Sequence, residues 1–420
     1  MAVAALAGAT GADASTLWVA PVAPSAPFNS CAHPGYDSIQ AAISGPGTAI
    51  HVCAGTYEEQ LQIQRGVTIT GYGGVTLKLP ASPRNATTPC DAANEALDHN
   101  LPDQDLVSVC GGKVKIESMR LEAIWPGNPI EAGESCAYGL AGVFVAGSAN
   151  FTLSGSTVIG AAPKEINGCQ YGLGVIVGIP GSKALGAATA TLTSDAVGGY
   201  QKNGITAAGE EVDLKASHVI VTGGGIEPAI AQNGIGIQEG AKGTILDSTV
   251  SDNECGDVPA CGPDALTQYA SDGVYFYDAG AGSSVTGTTS DENDVGIEAF
   301  DTAGVPRASK DKAEFDRYSA VEISEGGATV EHCTLTHSGV GIQLVQFSGQ
   351  AAAISGSASH DTIKFMSEWA VLGRSDKAEG DLPGEFTITG SKISGNPGPT
   401  PQKSVESEST TLKIFAEKDT

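Results

Sequence analysis

The sequence has few positive charges and few aromatic side chains. Only 22 Lys and Arg residues stand against 48 Asp and Glu residues, giving a formal net charge of -26, and aromatic residues make up 5% of the chain. Such a surplus of carboxylates repels phosphate backbones and anionic lipid surfaces, so we expect no nucleic-acid partner. No stretch approaches the roughly 20 apolar residues of a membrane-spanning helix. No membrane insertion is therefore expected.

Signatures of several enzyme classes are also missing. The sequence contains no Gly-x-Ser-x-Gly elbow, no phosphate-binding loop and no dinucleotide fingerprint. It also has no pair of cysteines with zinc-like spacing. We therefore predict no metal site of this kind and no required cofactor. Binding of Ca²⁺ by some of the many carboxylates is the alternative.

The nine cysteines instead favour disulfides in an oxidising compartment. Proximity alone suggests the pairs Cys31–Cys53, Cys90–Cys110, Cys136–Cys169 and Cys255–Cys261. Cys333 is then left as a buried free thiol, because it falls at a position that should face the core. Residues 1–14 look like the end of a signal peptide with a small-x-small cleavage site, so a secreted, extracellular protein is expected.

A short pattern recurs along the chain: an apolar residue, two variable residues, a small residue, a variable residue and usually a second apolar residue. The segments that fit it are 116–121, 153–158, 192–197, 214–219, 245–250, 285–290, 330–335 and 388–393. Between them lie apolar strands that begin with Asn-Gly or Asp-Gly, dipeptides typical of turns, as at Asn203, Asn233 and Asp272. A period in the twenties with several short strands predicts a solenoid of stacked strands.

The N-terminal part predicts a cap. Strand-like residues 17–21, an amphipathic helix at 36–43 and a strand at 46–59 precede the repeats, and the helix would cover the open end of the solenoid. We expect residues 1–14 to be a signal-peptide remnant, 15–66 the cap and first rung, 67–395 the β-helix and 396–420 a C-terminal tail with one apolar strand at 412–416.

These cap residues, with Tyr200 to Ile205 and Ile230 to Ile235, resemble the bacterial secreted right-handed parallel β-helix repeat proteins of the pectin lyase-like superfamily. The resemblance implies an all-β, single-stranded right-handed parallel β-helix with an N-terminal helical cap. The resemblance does not specify an activity, because the superfamily includes lyases, hydrolases, esterases, epimerases and proteins without known chemistry. Motifs of its polygalacturonases, pectate lyases and mannuronan epimerases are missing here, and only Leu372-Gly373-Arg374 echoes the pectin esterases.

Strand alternation places a set of polar and aromatic residues on the outer face of the Gly-initiated strands. Aromatic faces stack on sugar rings and polar tips bind hydroxyl groups. The alternative is a solvent-exposed face with a few cross-strand aromatic pairs. The outward residues are Thr206, Gln238, Tyr275, Tyr277, Glu298, Phe300, Glu322 and Gln343. We take Gln238, Tyr275, Tyr277, Phe300, Gln343 and Arg317 as candidate substrate-binding residues.

Several carboxylates accompany this set, among them Asp272, Asp278, Glu298 and Glu322. Glycoside hydrolysis needs two carboxyl groups about 5 to 10 Å apart, and stacked rungs about 4.8 Å apart supply that spacing. Glu298, Glu322 and Asp278 are the candidate catalytic residues, paired as Glu298 with Glu322 or as Asp278 with Glu298. A solvated acidic face and bridging by calcium are the alternatives.

One segment, 301–318, brings cations into this acidic sequence, including Arg307 and Arg317. They could pair with a uronate or stabilise the charge in a lyase reaction. Charges four residues apart favour a short surface helix over 310–317 instead. We expect a monomer that binds or processes a polysaccharide or cell-wall glycan, as a lyase or glycoside hydrolase. The alternative is a non-enzymatic structural or adhesive protein of the cell surface or matrix.

Overall fold

The computed structural model describes residues 16–97, 103–126, 139–179, 181–182, 185–256, 259, 261–262, 268–302, 304–346, 352–375, 382–395, 405–409 and 411–416. The predicted right-handed parallel β-helix is confirmed, because each strand pairs in parallel with strands one rung before and one rung after it. The predicted signal-peptide remnant lies outside the described residues. So does Cys136, and with it the proposed Cys136–Cys169 pair.

The strands are short and follow one another closely. In chain order they are β1 (Thr16–Val19), β2 (Ala49–Glu58), β3 (Leu61–Ile63), β4 (Val67–Lys78), β5 (Val107–Cys110), β6 (Lys113–Ile124), β7 (Ala141–Ala146), β8 (Ala149–Ser154), β9 (Thr157–Ala162), β10 (Leu173–Val177), β11 (Ala188–Thr193), β12 (Ala196–Gly198), β13 (Asn203–Ala208), β14 (Val212–Ser217), β15 (Ile220–Glu227), β16 (Asn233–Gln238), β17 (Lys242–Leu246), β18 (Thr249–Cys255), β19 (Asp272–Tyr277), β20 (Ser284–Thr286), β21 (Thr289–Asn293), β22 (Val295–Thr302), β23 (Arg307–Ser309), β24 (Lys312–Glu314), β25 (Ser319–Glu331), β26 (Thr334–Thr336), β27 (Val340–Gln346), β28 (Ser355–Ser359), β29 (Thr362–Lys364), β30 (Trp369–Ser375), β31 (Gly384–Thr389), β32 (Lys392–Ser394), β33 (Val405–Ser407) and β34 (Leu412–Ala416).

The strands form three parallel faces. In the first rungs, the long strands β2, β4 and β6 cover two of these faces, and from β7 onward most rungs contribute one strand to each face. We call the three faces the front sheet (including β10, β13, β16, β19, β22, β27 and β30), the back sheet (including β8, β11, β14, β17, β20, β23 and β28) and the side sheet (including β9, β12, β15, β18, β21, β24 and β26). β25 is long enough to run from the front sheet, beside β22, into the back sheet, beside β23. The core lies inside these faces and is filled by stacked aliphatic residues such as Ile205, Ile235, Val274 and Ile297.

The predicted cap helix is present as α1 (Ile39–Ser44), which buries Ile39, Ala42 and Ile43. Its first turn is held by Glu59, whose carboxylate accepts hydrogen bonds from the N–H groups of Ile39 and Gln40 at 2.7 and 2.9 Å. At its other end, Arg65 donates to carbonyl oxygens, including that of Ile43 at 2.7 Å. These contacts satisfy backbone groups that a short helix leaves unpaired.

Three of the predicted disulfides are confirmed, Cys31–Cys53, Cys90–Cys110 and Cys255–Cys261, and Cys333 is a buried free cysteine as expected. Bonds of this kind indicate an oxidising compartment. Cys90 lies in a second helix, α2 (Pro89–Leu97). Cys90 in α2 packs with Phe144 and Ile179 in a small apolar cluster next to the front sheet.

The predicted surface helix over 310–317 is wrong, because the segment 301–318 contains strands and no helix among its described residues. Its residues form β23 and β24, one more turn of the solenoid, with Ala308 and Ala313 buried. The charges that suggested a helix also alternate with period two. That alternation sends Lys312 and Glu314 to the surface, where their side chains form an ion pair.

Between the back and side sheets, one residue of each rung points inward, and we call this column the turn ladder. It comprises Met119, Ser156, Asp195, Val219, Ser248, Thr288, Asp311, Cys333, Asp361 and Ser391. The sequence prediction placed Ser217 in this column, but the register aligns Ser217 with Thr193 and so brings Val219 into the ladder. It also missed the rungs that contribute Asp311 and Asp361.

At the C-terminal end, the expected strand at Leu412–Ala416 is present and pairs with β31, while β33 pairs with β30. The strand pairing therefore extends past residue 395. No helix among the described residues is long and apolar enough to cross a membrane.

Candidate functional site

The outer face of the front sheet carries a column of polar residues in register. Thr206 pairs with Gly236, Gly236 with Tyr275, Tyr275 with Glu298, Glu298 with Glu322, and Glu322 with Gln343. A second column two residues further along runs through Gln238, Tyr277, Phe300 and Ser324. The parallel register therefore brings eight predicted outward residues onto one continuous face.

The solvent exposure expected for part of this face is wrong. Thr206, Tyr275, Glu322 and Gln343 are buried, with Tyr275 only 9% exposed. The reason is crowding: rungs about 4.8 Å apart let long side chains cover one another. The Tyr275 ring lies over Gly236, where a Cβ atom would meet the ring Cζ at 2.2 Å.

Tyr275 is fixed in that position by amide side chains. Its hydroxyl donates to Gln238 Oε1 at 2.8 Å and accepts from Asn203 Nδ2 at 3.1 Å. Asn233 in turn donates to Asn203 Oδ1 at 3.2 Å and accepts from the backbone N–H of Asp272 at 3.0 Å. The Asn-Gly and Asp-Gly residues, read as turn formers in the sequence, thus form a connected polar network at the start of the strands.

Three carboxyl groups meet beside Tyr275. Asp272, at the start of β19, shares a hydrogen bond between carboxyl groups with Glu298, one rung further on. Glu322 follows Glu298 in the same column. Two carboxyl groups can hydrogen-bond to each other only if one of them carries a proton. We call Asp272, Glu298 and Glu322 the front cluster.

The environment of the front cluster favours retention of protons. Burial, then the charge of Glu322, raises the pKa of Asp272 well above its usual range, although Lys202 opposes the shift. Burial and the charges of Asp272 and Glu322 likewise raise the pKa of Glu298 well above its usual range. Glu298 is half-buried and so is the member of this pair that solvent reaches best.

Glu322 is held differently. Its carboxylate accepts hydrogen bonds from Ser324 Oγ at 3.0 Å, Ser319 Oγ at 3.3 Å and Gln343 Nε2 at 3.0 Å. Burial raises the pKa of Glu322, but these donors and the charge of Arg374 act against that shift. Hydrogen bonds to the charged form make Glu322 the best anion of the front cluster.

The other predicted site residues lie near this centre without joining the front cluster. Asp278 is exposed in the turn after β19, where its charge acts on Glu239. Tyr277 and Phe300 stack on each other with ring centroids 5.4 Å apart. Arg317 donates to the carbonyl oxygen of Cys255 at 2.8 Å and lies 3.8 Å from Asp294. In the strand register, Asp278 follows Tyr277 and so lies outside the column that contains Glu298.

A groove of about 320 Å³ lies on the same sheet, toward the N-terminal rungs. Phe144, Leu173 and Ile176 are among its apolar lining residues, and Asp105 and Glu239 are among its acidic ones. Ile176 precedes Thr206 in the column that leads to the front cluster. A second cavity of about 430 Å³ adjoins it at Glu239 and is lined by further acidic residues, Glu210, Glu211 and Asp278.

Among the residues that the structure describes, one group of carboxylates lies close enough together to hold a metal ion. Carboxylate oxygens of Asp91, Asp103 and Asp105 are within 4.8 Å of one another, and all three residues are buried. An all-oxygen donor set of this kind suits a hard cation such as Ca²⁺. Burial, followed by the charges of Asp103 and Asp91, raises the pKa of Asp105 well above its usual range.

Comparison with known proteins supports the β-helix architecture. The family described as "Right handed beta helix region" matches residues 184–357. The chain has a right-handed parallel β-helix fold. No curated protein matches it.

Solved structures share this fold at low sequence identity. The Dettilon tailspike protein has a TM-score of 0.56 and 12% identity, over 94% of this chain and 70% of the tailspike chain. A GH136 lacto-N-biosidase from Eubacterium ramulus has a TM-score of 0.53 and 10% identity, over 96% and 68%. A double mutant of the periplasmic alginate epimerase AlgG has a TM-score of 0.51 and 9% identity, over 86% and 78%. Identity at this level supports the fold alone.

The sequence prediction undervalued one residue of the site. Asp272 was counted among the nearby carboxylates but not chosen as a candidate catalytic residue. The signal that could have identified it is its register with Asn203 and Asn233, which places three polar side chains in one column beside Glu298.

Proposed function

We propose that this protein is an extracellular glycoside hydrolase-like protein that binds a glycan along the front sheet and cleaves it at the front cluster. The observation that carries the proposal is the contrast between two carboxyl groups one rung apart. Glu298 shares a proton with Asp272, whereas Glu322 is surrounded by hydrogen-bond donors. Environments that differ in this way separate a protonated carboxylic acid from an ionised carboxylate.

In the proposed reaction, protonated Glu298 gives its proton to the glycosidic oxygen as the bond to the anomeric carbon breaks. Glu322 attacks this carbon and holds the sugar as a covalent intermediate. Ionised Glu298 then takes a proton from the water that displaces the sugar from Glu322, so atoms balance and both carboxyl groups return to their starting states. Two carboxyl groups one rung apart fit this double displacement. Asp272 raises the proton affinity of Glu298 and is a positioning residue. Tyr275, fixed by Asn203 and Gln238, offers a polar edge next to the reacting sugar.

Two further features support an extracellular role. Disulfides are stable in oxidising compartments, and the strong negative charge favours solubility there. The Dettilon tailspike protein and the lacto-N-biosidase show that the same fold is used by a tailspike and by a glycan-degrading enzyme. Secretion itself remains part of the proposal.

The test uses the purified chain with a panel of neutral and uronic-acid polysaccharides. New reducing ends without ultraviolet absorbance are expected, since hydrolysis adds water and creates no double bond. Glu298→Gln and Glu322→Gln should each lower the rate by about a hundredfold or more, as is typical when an acid or base is removed. Each reaction is run with and without Ca²⁺, because Asp91, Asp103 and Asp105 offer a ligand set.

Glu331→Gln is the matched control, because Glu331 lies on the back sheet and pairs with Arg307. It should leave the rate unchanged. An absorbance gain would instead indicate a lyase and contradict hydrolysis. Binding without any product would contradict catalysis and favour the non-enzymatic, adhesive alternative.

A further inference from the structure

The groove and the cavity beside the front cluster have acidic side chains in their linings. Glu239 and Asp105 line the groove toward the N-terminal rungs, and Glu210, Glu211 and Asp278 line the adjoining cavity. Together with Glu322, the best anion of the front cluster, the carboxylates of Glu210, Glu211 and Asp278 make this face a poor place for an anion, because like charges repel.

Three cations beside this face are engaged with protein atoms. Lys202 donates to the carbonyl oxygen of Ala231 at 2.7 Å, and burial lowers the pKa of its ammonium group. The charge of Arg374 acts on Glu322. Arg317 donates to Cys255 and faces Asp294. A uronate carboxylate lying on the front sheet would compete with each of these contacts for its positive partner.

The groove toward the N-terminal rungs has a different chemistry, because its floor is apolar. Ile176 and Leu173 are half-buried there, and Phe144 packs beneath with Cys90 of α2. Ile176, Thr206, Gly236, Tyr275 and Glu298 are consecutive members of one column. Four steps of about 4.8 Å place Ile176 about 19 Å from Glu298 along the sheet.

We propose that the glycan is uncharged and that the sugar unit lying over Ile176 carries an apolar substituent, such as the methyl group of an N-acetyl or 6-deoxy sugar. The inference rests on the proposed function, since it assumes that the glycan follows the column from the front cluster. A sugar hydroxyl finds no hydrogen-bond partner in the side chains of Leu173 and Ile176. A methyl group that packs against these side chains is removed from water, which is favourable.

The experiment is a binding measurement with the full chain on an array of matched glycan pairs. One set pairs each uronate-bearing glycan with its carboxyl-reduced form, and the other pairs each N-acetyl or 6-deoxy glycan with its unsubstituted form. The reduced and the substituted members are expected to bind better. Ile176→Ser should lower the preference for substituted members by about tenfold, the effect of a lost contact in an apolar pocket.

Ile220→Ser is the control, because Ile220 is an isoleucine 55% exposed on the side sheet. Its binding profile should match that of the unchanged chain. Uronate glycans that bind as well as their reduced forms would overturn the charge argument. An Ile176→Ser profile equal to that of the unchanged chain would overturn the placement of the substituent. If no glycan binds, the proposed function fails and the inference falls with it.

Discussion

Two regions of this β-helix bury carboxyl groups, and the environment of those groups differs. In the turn ladder, Asp195, Asp311 and Asp361 each accept a backbone N–H of the preceding rung, at 2.7 to 2.8 Å. In the front cluster, Asp272 and Glu298 face each other and Glu322 is held by side chains. Burial is the largest cause of raised pKa in both regions.

A raised pKa therefore does not identify a catalytic group in this fold. The aspartates of the turn ladder replace the Ser and Thr of other rungs and join successive turns to one another. The front cluster joins no backbone turns in this way, and its carboxyl groups interact mainly with side chains that reach the outer face. The hydrogen-bond partners of a carboxyl group therefore distinguish a structural role from a catalytic role better than its pKa does.

The largest expected effect tests this separation directly. Glu298→Gln should reduce glycan hydrolysis by about a hundredfold or more while leaving the unfolding midpoint nearly unchanged, because an amide replaces a protonated carboxyl of the same shape. Asp311→Asn, an equally conservative change in the turn ladder, should leave hydrolysis intact. Steady-state rates and urea unfolding are measured on both variants. Equal losses of activity would erase the distinction between the regions.

Removing a carboxyl group from the turn ladder should affect stability instead. Asp361→Ala leaves the buried N–H of Cys333 without its acceptor at 2.7 Å, at a cost of about 1–3 kcal/mol in the free energy of unfolding. Urea denaturation followed by circular dichroism measures this loss. Asp361→Asn, which keeps an acceptor oxygen, is the control and should recover most of it. If Asp361→Ala is as stable as the unchanged chain, the proposed structural role of Asp361 is wrong.

The turn ladder also predicts how stability depends on pH. Burial raises the pKa of Asp195 to about 6 and those of Asp311 and Asp361 to about 7, whereas an unfolded aspartate titrates near 3.9. Between about pH 4 and pH 7 the folded chain therefore binds more protons at these groups than the unfolded chain does. The stabilisation from these groups is complete below about pH 4 and is lost as the pH rises through 6 to 7.

The melting temperature should accordingly fall by about 2 °C or more between pH 5 and pH 8. The double variant Asp311→Asn, Asp361→Asn should show a smaller fall, because its amides do not titrate. General repulsion among the many other negative charges affects both proteins alike. The difference between the two falls in melting temperature therefore measures the contribution of Asp311 and Asp361. A double variant with the same slope as the unchanged chain would contradict the assignment.

The fold could be predicted from the sequence because stacking imposes a repeat on apolar and small residues. The prediction failed at 301–318, where alanines fill the apolar positions and an aspartate fills the small one, so that the rung resembles a charged helix. For the candidate site, strand alternation was sufficient to place Tyr275, Glu298, Glu322 and Gln343 on one face of the front sheet. It could not give their burial or the partnership of Asp272 with Glu298, because both depend on register between rungs separated by loops of different length.

A smaller change sharpens the description of the front sheet. Gly236→Ala would place a Cβ atom 2.2 Å from the ring of Tyr275, so the ring must move away from Gln238 and Asn203. A cost of about 1–3 kcal/mol in stability is typical of such overpacking, and weaker glycan binding should accompany it. Calorimetry of unfolding and of binding measures both. Gly35→Ala, with 3.7 Å to its nearest neighbour, is the control.

The smallest effect concerns Cys333, which stands in the turn ladder between Asp311 and Asp361. Burial, followed by the charge of Asp311, raises the pKa of its thiol to about 12, so almost no thiolate is present at neutral pH. Iodoacetamide should therefore leave Cys333 unmodified in the folded chain and alkylate it in urea, as peptide mass spectrometry would reveal. Rapid alkylation of the folded chain would mean that the turn ladder opens locally, and its carboxyl groups would then be accessible to solvent like those of the front sheet.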